Sequence, residues 1–429
     1  MTHEELNTLY KDFAIQSAKK LDGPIGKLQE QSLELFLSQA IPHRKHEDWV
    51  YTSIAKGLPE NPVNAKAYTP EAGFSAPFQD IAGSIVFAGG ELCPELTKLP
   101  EGIELEVSAP QQLTEELERL IVPSNNDSFE ALNLLSQTQW VHLKVKKGTQ
   151  HKQPLFINFC QNPHKDEISQ ARLTVTVEPG AELSVYEVHQ DNNAEEASHS
   201  NDIVSFDLGA NSTLRHVKAT YLNKSSTHIG KTKASLTRDA HFETLSFSLG
   251  GKMVRHNVRL DLYEPGAHAD AFGLYALQAD QHTDHFIQLH HHASHTTSNQ
   301  LYKGILADSS RGVFTGKVVV ERQAQKVDSA QLNKNLILGD KAHADTRPQL
   351  EVYADDVKCA HGATVGQIDQ DEIFYLQSRG LEYEAAQFLL CHAFGAETLQ
   401  KVKHPQLLAE LTERLEKDFE STVLEENRG

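Results

Sequence analysis

A weak repeat of about 30 residues constrains the fold of this 429-residue chain more than any other feature. Between residues 140 and 353, short runs with alternating apolar residues are separated by turn-forming tetrapeptides. Equivalent turn positions follow one another at intervals of 29, 30 and 27 residues, at 180, 209, 239 and 266. Strands at this spacing indicate a β-solenoid, in which each coil stacks on the previous one. An antiparallel sandwich is the alternative, but the regular spacing and the lack of Asn-Gly hairpins favour the solenoid.

Helical patterns precede the repeat. Apolar residues at 6–13 recur with helical spacing, and a second helix is predicted to end near Pro42. Further helical patterns occur at 110–121 and 128–137, while Gly, Pro and Ala dominate 57–83. We therefore expect a mixed, mostly helical N-terminal region with a linker at 57–83.

Helical patterns also follow the repeat. Asp369 is a suitable N-cap for a first helix, and Gly380 is a suitable residue just past its end. A second helix is predicted at 382–394 with its end at Gly395, and a third is predicted to begin after Pro405.

These patterns predict a mainly β fold with helical ends. The N-terminal region would span 1–138, a β-helix core 139–362 and a C-terminal helical domain 363–429.

Composition excludes several classes of function. The chain has 40 Lys and Arg against 59 Asp and Glu, a net charge of −19, which argues against binding nucleic acid or anionic lipid. Its four cysteines form no C-x-x-C pair, so a reducing compartment is expected. The acidic N-terminus does not resemble a targeting peptide, and no apolar run approaches the roughly 18 residues of a membrane span. We expect a soluble cytoplasmic protein without its own nucleotide chemistry, since no P-loop is present.

The segment at 355–380 contains the strongest candidate site. Cys359 and His361 lie two residues apart, so a strand would direct both side chains to one face. A thiolate and an imidazole can bind a soft or borderline metal ion or part of an iron–sulfur cluster. Two donors are too few for a closed site, so further ligands would come from elsewhere, for example a second chain. The charged neighbours of Cys359 favour an activated thiolate. A buried cysteine beside a hydrogen-bonded histidine is the alternative.

Six histidines within 282–295 form a second candidate. Alternation along a strand places His290 and His292 on one face and His291 on the other. Imidazoles converging on one ion would make the chain a stand-alone histidine-rich metalloprotein. A polar ladder hydrogen-bonded to neighbouring aspartates is the alternative, and no fixed carboxylate or cysteine spacing supports a tight metal site.

Five segments form a more specific pattern when they are taken together. They are PHRKHEDWVYT at 42–52, HHHASHTTSNQLYKGIL at 290–306, GKVVVERQAQKVDSAQLNKNLIL at 316–338, RPQLEVYADD at 347–356 and DVKCAHGATVGQIDQDEIFYLQSRG at 356–380. The pattern resembles the SufB/SufD family of scaffold subunits for iron–sulfur cluster assembly. The resemblance covers nearly the whole chain, and its C-terminal motif is specific.

The resemblance implies a right-handed parallel β-helix that pairs with the β-helix of a SufB-like subunit. It also implies that the C-terminal helices dock a SufC-like ABC-type ATPase, and that Cys359 and His361 are interface ligands for iron or a nascent cluster. The chain itself would be a non-catalytic scaffold without a tightly bound cofactor. Assemblies of the family also carry reduced FAD, for which this sequence locates no site. The predicted docking residues are Phe374, Tyr375, Arg379 and Phe394.

One departure concerns the branch of the family. SufB-type chains carry a glutamate after the matching histidine, whereas Gly362 stands at that position here. The chain is also shorter and lacks a cysteine-rich N-terminal stretch, and both points favour the SufD branch. A SufB-like cluster-building paralogue, a homodimer of the isolated chain and the histidine-rich metalloprotein remain as alternatives. A β-helix enzyme acting on polysaccharide would need a secretion signal and a row of acidic residues, which the sequence does not show.

Overall fold

A computed structural model describes residues 2–19, 21–70, 76–109, 121–122, 127–161, 164–191 and 196–426. The helical pattern predicted at 110–121 lies almost entirely outside these residues, as does part of the predicted linker, at 71–75. Within the described ranges, no helix combines the length and apolar character that crossing a membrane requires. The α-helices of this part of the chain are α1 (His3–Ser17), α2 (Gly23–Gln39), α3 (Ser128–Ser136), α4 (Gln370–Ser378), α5 (Tyr383–Leu399) and α6 (Pro405–Glu426).

Short 3-10 turns occur at Glu47–Trp49, Ile54–Lys56 and Pro94–Leu96. The strands before the regular coils are β1 (Val63–Asn64), β2 (Gly83–Ala88), β3 (Glu91–Leu92), β4 (Ile103–Ser108), β5 (Trp140–Val145), β6 (Leu155–Gln161), β7 (Glu167–Ser169) and β8 (Arg172–Val177). The ten-residue strands that follow are β9 (Glu182–Asp191), β10 (His199–Leu208), β11 (Thr213–Leu222), β12 (Thr227–Leu236), β13 (His241–Gly250), β14 (Met253–Leu262), β15 (His268–Leu277), β16 (His282–His291), β17 (Thr297–Leu306), β18 (Arg311–Val320), β19 (Asp328–Ile337), β20 (His343–Val352) and β21 (Lys358–Gln367).

The strands wind into a β-solenoid of about eight coils, which confirms the predicted fold and excludes the sandwich. Even-numbered strands from β8 to β20 lie side by side in one sheet, and odd-numbered strands from β9 to β21 lie side by side in the other. Strands of successive coils pair in parallel and in register. At the N-terminal end, β4 pairs antiparallel with β5 and β3 pairs antiparallel with β2.

The repeat reflects a turn residue with a left-handed backbone conformation, which recurs once in each coil. Gly180, Asn211, Asp239 and Gly266 have φ values of 71°, 56°, 55° and 79°, in the left-handed region. Glycine adopts this region freely, and Asn and Asp tolerate it better than other residues. The predicted equivalence of Gly209 with these turn positions is therefore wrong by two residues, because Asn211 is the left-handed residue of its coil.

Apolar side chains from both sheets fill the solenoid interior. One column of register partners in the even sheet contains Leu260, Leu289, Val318 and Leu350. The first three are fully buried, and Leu350 at the last coil is half-buried. Burial of such columns supplies the main stabilisation of the solenoid.

Helices cover the outer faces of both sheets. On the even sheet, the ring of Trp49 lies 5.7 Å from that of Phe129 in α3, within a core that includes residues of β12 and β14. On the odd sheet, α5 and α6 pack through a core that includes Leu274 and Leu415. The two sheets are thus covered by opposite ends of the chain.

The C-terminal helices follow the predicted signals with one exception. The Asp369 side chain accepts a hydrogen bond from the Asp371 N–H at 2.8 Å, and Gly380 ends α4 with a φ of 95°. The predicted end of the second helix at Gly395 is wrong, because α5 continues to Leu399.

The reason for a glycine inside α5 is close packing. A Cβ atom at Gly395 would lie 3.0 Å from Leu415 Cδ2 and 3.3 Å from Leu274 Cδ2. The missing side chain therefore lets α6 and the odd sheet approach α5 together. The division of the chain into three domains stays a prediction.

Candidate functional site

The C-terminal end of the solenoid is open. Among the described strands, β21 pairs only with β19, and β20 pairs only with β18. Each therefore has one edge of ten residues without a neighbouring strand. Three apolar side chains near these edges are exposed, those of Val352, Tyr353 and Val365. A long edge strand offers backbone groups that can pair with another chain.

Cys359 and His361 lie on β21, at this open end. Cys359 is the register partner of Ser329, and His361 that of Gln331, so both belong to columns that face the solenoid interior. Cys359 is half-buried against the interior core, whereas His361 is exposed because no further coil covers it. The strand thus presents a thiol and an imidazole side by side at the mouth of the solenoid.

Polar side chains continue inward from this pair. The Ser329 hydroxyl lies 2.8 Å from that of Ser298, which lies 2.9 Å from Nε2 of His291. In the neighbouring column, Gln331 donates from Nε2 to Oε1 of Gln300 at 3.1 Å. The interior behind the open end is therefore polar over two coils.

The electrostatics of Cys359 differ from the prediction of an activated thiolate. Burial raises the pKa of the Cys359 thiol above its ordinary value, and the negative charge of Asp328 raises it further. In the isolated chain the thiol is therefore the protonated form at neutral pH, and that prediction is wrong.

Position 362 faces away from Cys359 and His361. It follows His361 directly, so alternation directs a side chain at this position to the outer face. Within the described part of the chain, a Cβ atom there would come within 4 Å of Leu332 Cδ1 alone, at 3.4 Å. A carboxylate at this position would thus lie on the opposite side of β21 from Cys359 and His361.

The four predicted docking residues separate into two groups. Phe374 and Tyr375 are 71% and 57% exposed on α4, and the Arg379 guanidinium lies 5.3 Å from the centre of the Tyr375 ring. Phe394 instead faces the solenoid: Nζ of Lys303 lies 4.4 Å from its ring centre and donates to its carbonyl oxygen at 2.9 Å. Docking through these residues stays a prediction.

Two histidines of the histidine-rich segment converge with a carboxylate, because donor atoms of Asp261, His290 and His292 lie within 4.8 Å of one another. His290 and His292 lie on the outer face and His291 lies inside, as the alternation predicts. Nε2 of His292 bonds to Oδ1 of Asp261 at 2.9 Å, and Arg259 donates to the other oxygen of the same carboxylate at 2.8 Å. An arginine thus already balances the charge of the carboxylate that these histidines approach.

The sequence patterns missed a group of ionisable residues inside the solenoid. The interior polar cluster, as we call it, comprises Glu187, His189, Asp202, His216, Lys218 and His228. Nζ of Lys218 lies 2.5 Å from Oε1 of Glu187, and Nε2 of His216 lies 2.9 Å from Oε2. Two pairs with a spacing of two residues, one coil apart, were the available signal: Glu187 with His189, and His216 with Lys218.

The fold and its open end define a class, the β-solenoid proteins with helices at both ends of the chain. Residues 159–394 match the family model described as the SufBD core domain of SUF system FeS cluster assembly. The chain therefore belongs to the SufBD family of iron–sulfur cluster assembly proteins.

Three relatives illustrate the similarity. The chain is 33% identical over 401 residues to the iron–sulfur cluster assembly protein SufD of Escherichia coli (strain K12), covering 90% of this chain and 92% of the relative. It is 30% identical over 427 residues to a SufBD family protein of Synechocystis, covering 93% and 92%. It is 26% identical over 401 residues to the chloroplastic protein ABCI7 of Arabidopsis thaliana, covering 90% and 84%.

Proposed function

We propose that this chain is a non-catalytic scaffold subunit that helps to build iron–sulfur clusters in the cytoplasm. Its partners would be a SufB-like subunit and a SufC-like ABC-type ATPase. The observation that carries the proposal is the open last coil, where Cys359 and His361 lie beside two strand edges that no other described strand pairs with.

The edges of β20 and β21 support pairing with a second solenoid. Backbone N–H and C=O groups on an edge gain hydrogen bonds when another strand is added. Exposed Val352, Tyr353 and Val365 would lose contact with water in the same step. Association end to end would therefore extend both sheets across the interface.

Cys359 and His361 would then bind iron or the growing cluster, which is the cargo of the assembly. Each supplies one donor, so the SufB-like subunit would contribute the others. Binding through Cys359 displaces the thiol proton, so the raised pKa makes binding weaker at low pH and stronger at high pH. The resemblance also allows reduced FAD in the assembly, but we assign no site for it among the described residues.

The SufC-like ATPase would dock on α4. Exposed aromatic residues next to an arginine are typical of binding surfaces, and Phe374, Tyr375 and Arg379 form such a group. ATP hydrolysis in that partner would shear the paired solenoids and expose the interface. The structure favours Phe374 and Tyr375 over Phe394 for this contact, since Phe394 packs on the solenoid.

The test is co-expression with SufB-like and SufC-like chains, followed by pull-down and anaerobic spectroscopy. His361→Ala should leave complex formation intact and abolish formation of the cluster. His343→Ala is the matched control, because His343 is an exposed histidine on the other edge strand. Normal cluster formation and delivery by the His361→Ala complex would contradict the ligand role.

The alternatives make different predictions for the isolated chain. A stand-alone histidine-rich metalloprotein would hold a metal ion tightly through His290 and His292, and removing Arg259 would strengthen that site. A SufB-like paralogue would assemble a cluster without a second solenoid. Neither a cluster on the single chain nor tight binding at these histidines is expected of the scaffold.

A further inference from the structure

The interior polar cluster is far from the open end. His189 lies on β9, Asp202 on β10 and His228 on β12, whereas Cys359 lies on β21. In the odd sheet, β9 and β21 are six strand-to-strand steps apart, which corresponds to about 29 Å at the usual strand spacing. The cluster therefore needs an explanation separate from the one given for the open end.

Three side chains of the cluster face one another without satisfying their polar atoms. Nδ1 of His189 lies 3.2 Å from Oδ2 of Asp202, and all three residues offer donor atoms within 4.8 Å of one another. Each side chain is at most 2% exposed. Among the described residues, none forms a hydrogen bond with His189 Nδ1, Asp202 Oδ2 or His228 Nε2. Leaving buried polar atoms unpaired destabilises a protein, and the cost is larger for a charged group.

The remaining polar atoms of the same side chains are held in place. Nε2 of His189 lies 2.6 Å from both Oε1 of Glu187 and Nζ of Lys218, and Nδ1 of His228 lies 2.7 Å from the Ser200 hydroxyl. Oδ1 of Asp202 accepts the backbone N–H of Ala171 at 2.8 Å. Such second contacts are typical of metal ligands, because they orient the donor atom and fix the histidine tautomer.

A glycine provides room for the third donor. A Cβ atom at Gly230 would lie 2.4 Å from Nε2 of His228, and Gly230 is the register partner of Asp202. Nε2 of His228 therefore lies over the backbone of Gly230, next to Asp202. Any larger residue at position 230 would displace the His228 ring.

The charges leave one carboxylate unbalanced. Lys218 and Glu187 form a buried ion pair at 2.5 Å, so their charges compensate each other. Among the described residues, the ion-pair partners of Asp202 are imidazoles: its Oδ2 lies 3.2 Å from Nδ1 of His189 and 4.0 Å from Nδ1 of His228. A divalent cation held between these side chains would balance the charge of a buried carboxylate.

We propose that His189, Asp202 and His228 bind one divalent first-row transition ion, Fe(II) in type, inside the solenoid. Two histidines and one carboxylate with open positions are a ligand set that suits Fe(II). Donors about 2.1 Å from one ion lie about 3.0 Å apart at the 90° angle of a facial set and about 3.4 Å apart at a tetrahedral angle, a range that includes the 3.2 Å between His189 Nδ1 and Asp202 Oδ2. The site lies outside the interface of the proposed function and does not depend on a partner.

The test uses the full-length chain, stripped of metal with a chelator and titrated anaerobically with Co(II) and then with Fe(II). The unmodified chain should bind one ion tightly, with Co(II) absorption in the visible range and a higher melting temperature. Asp202→Asn and His228→Gln should each weaken binding by about tenfold or more. The Cys359→Ser, His361→Ala double variant should bind the ion unchanged.

Two control variants separate this site from other histidines. His256→Gln removes another buried histidine, whose ring nitrogens already bond to Thr232 and Ser246. His268→Gln disrupts a half-exposed group with His241 and Asp270 on the outer surface. Both variants should keep the tight ion.

Several outcomes would overturn the proposal. They are the absence of a tight ion on the folded chain, binding that survives Asp202→Asn, and binding that disappears only with the Cys359→Ser, His361→Ala variant. Should Asp202→Asn raise the melting temperature of the metal-free chain and leave Co(II) binding unchanged, the cluster is a hydrated polar core instead. Should the triad variants not fold, the titration of the unmodified chain decides, because tight binding with a spectrum lacking nitrogen ligands also contradicts the site. These titrations use the isolated chain. Their outcome therefore does not depend on whether the His361→Ala variant forms the complex or assembles a cluster.

Discussion

The middle and the last coils of the solenoid are built from strands of the same length and register but differ in burial. In β13 and β14, most residues are buried, as Phe242 and Leu260 are. In β20 and β21, every residue is half-buried or exposed. The local sequence forms strands in both places, so what the last coil lacks is a neighbour. This difference supports the proposal that the C-terminal end binds another chain.

The two ends of the solenoid differ in the same way. At the N-terminal end, β4 and β3 return antiparallel and cover part of the first coil. At the C-terminal end, β20 and β21 are the outermost described strands of their sheets. A solenoid that functions without a partner would be expected to cover the strand edges at both of its ends. The contrast therefore supports a partner at the C-terminal end.

The largest expected effect is on core substitutions along one interior column. Leu289→Ala in the middle coils should lower the free energy of unfolding by about 2–5 kcal/mol, because it opens a cavity in a fully buried site. Leu350→Ala, two coils further in the same column, should cost less than about half as much, because its site is half-buried. Denaturant midpoints of the isolated chain measure the stability of both variants. Equal losses of unfolding free energy would contradict the contrast between the coils. Partner binding should make the two losses more similar.

The next effect is on docking through α4. Phe374→Ser should weaken binding of the SufC-like ATPase by about tenfold, as expected for the loss of an aromatic anchor. Its effect on stability should stay within about 0.5 kcal/mol, because the ring is exposed. Ile15→Ser on α1 is the matched control, since Ile15 is also an exposed apolar residue on a helix. Equal ATPase affinity of the two variants would remove α4 from the docking surface.

The smallest effect is on the reactivity of Cys359. Because its pKa is raised by burial and by Asp328, alkylation should be slow at neutral pH and accelerate as the pH rises past the ordinary thiol pKa. Asp328→Asn should lower that pKa and increase the alkylation rate at pH 8 by about two- to threefold. Asp355→Asn is the control, because it removes an exposed carboxylate from the same segment. The rates are measured by mass spectrometry of the modified peptide, and a rate unaffected by Asp328→Asn would exclude the electrostatic contribution.

The solenoid was predictable from sequence because its turns depend on local backbone preferences. Gly180 and Gly266 mark the left-handed position directly, whereas Asn211 and Asp239 mark it less strongly, and this explains the error at Gly209. The end of α5 was not predictable, because Gly395 serves contacts with residues far away in the sequence. Local signals thus predicted the coils, and tertiary contacts decided where the prediction was wrong.

The candidate sites show the same division. Cys359 and His361 are two residues apart on one strand, so their common face followed from alternation alone. His189, Asp202 and His228 lie on three strands of two sheets, and only the register between the coils brings them together. The raised pKa of the half-buried Cys359 thiol was also not predicted, because its burial depends on the neighbouring coil.

Hydrogen exchange tests the central claim, that the last coil is completed by a partner solenoid, most directly. In the isolated chain, amides of β21 should exchange at least about tenfold faster than amides of β13, which has neighbours on both sides. Adding the SufB-like subunit should slow exchange in β20 and β21 to the level of β13 and leave β13 unchanged. Unchanged exchange in β20 and β21 within a stable complex would contradict the account, because the partner would then bind elsewhere.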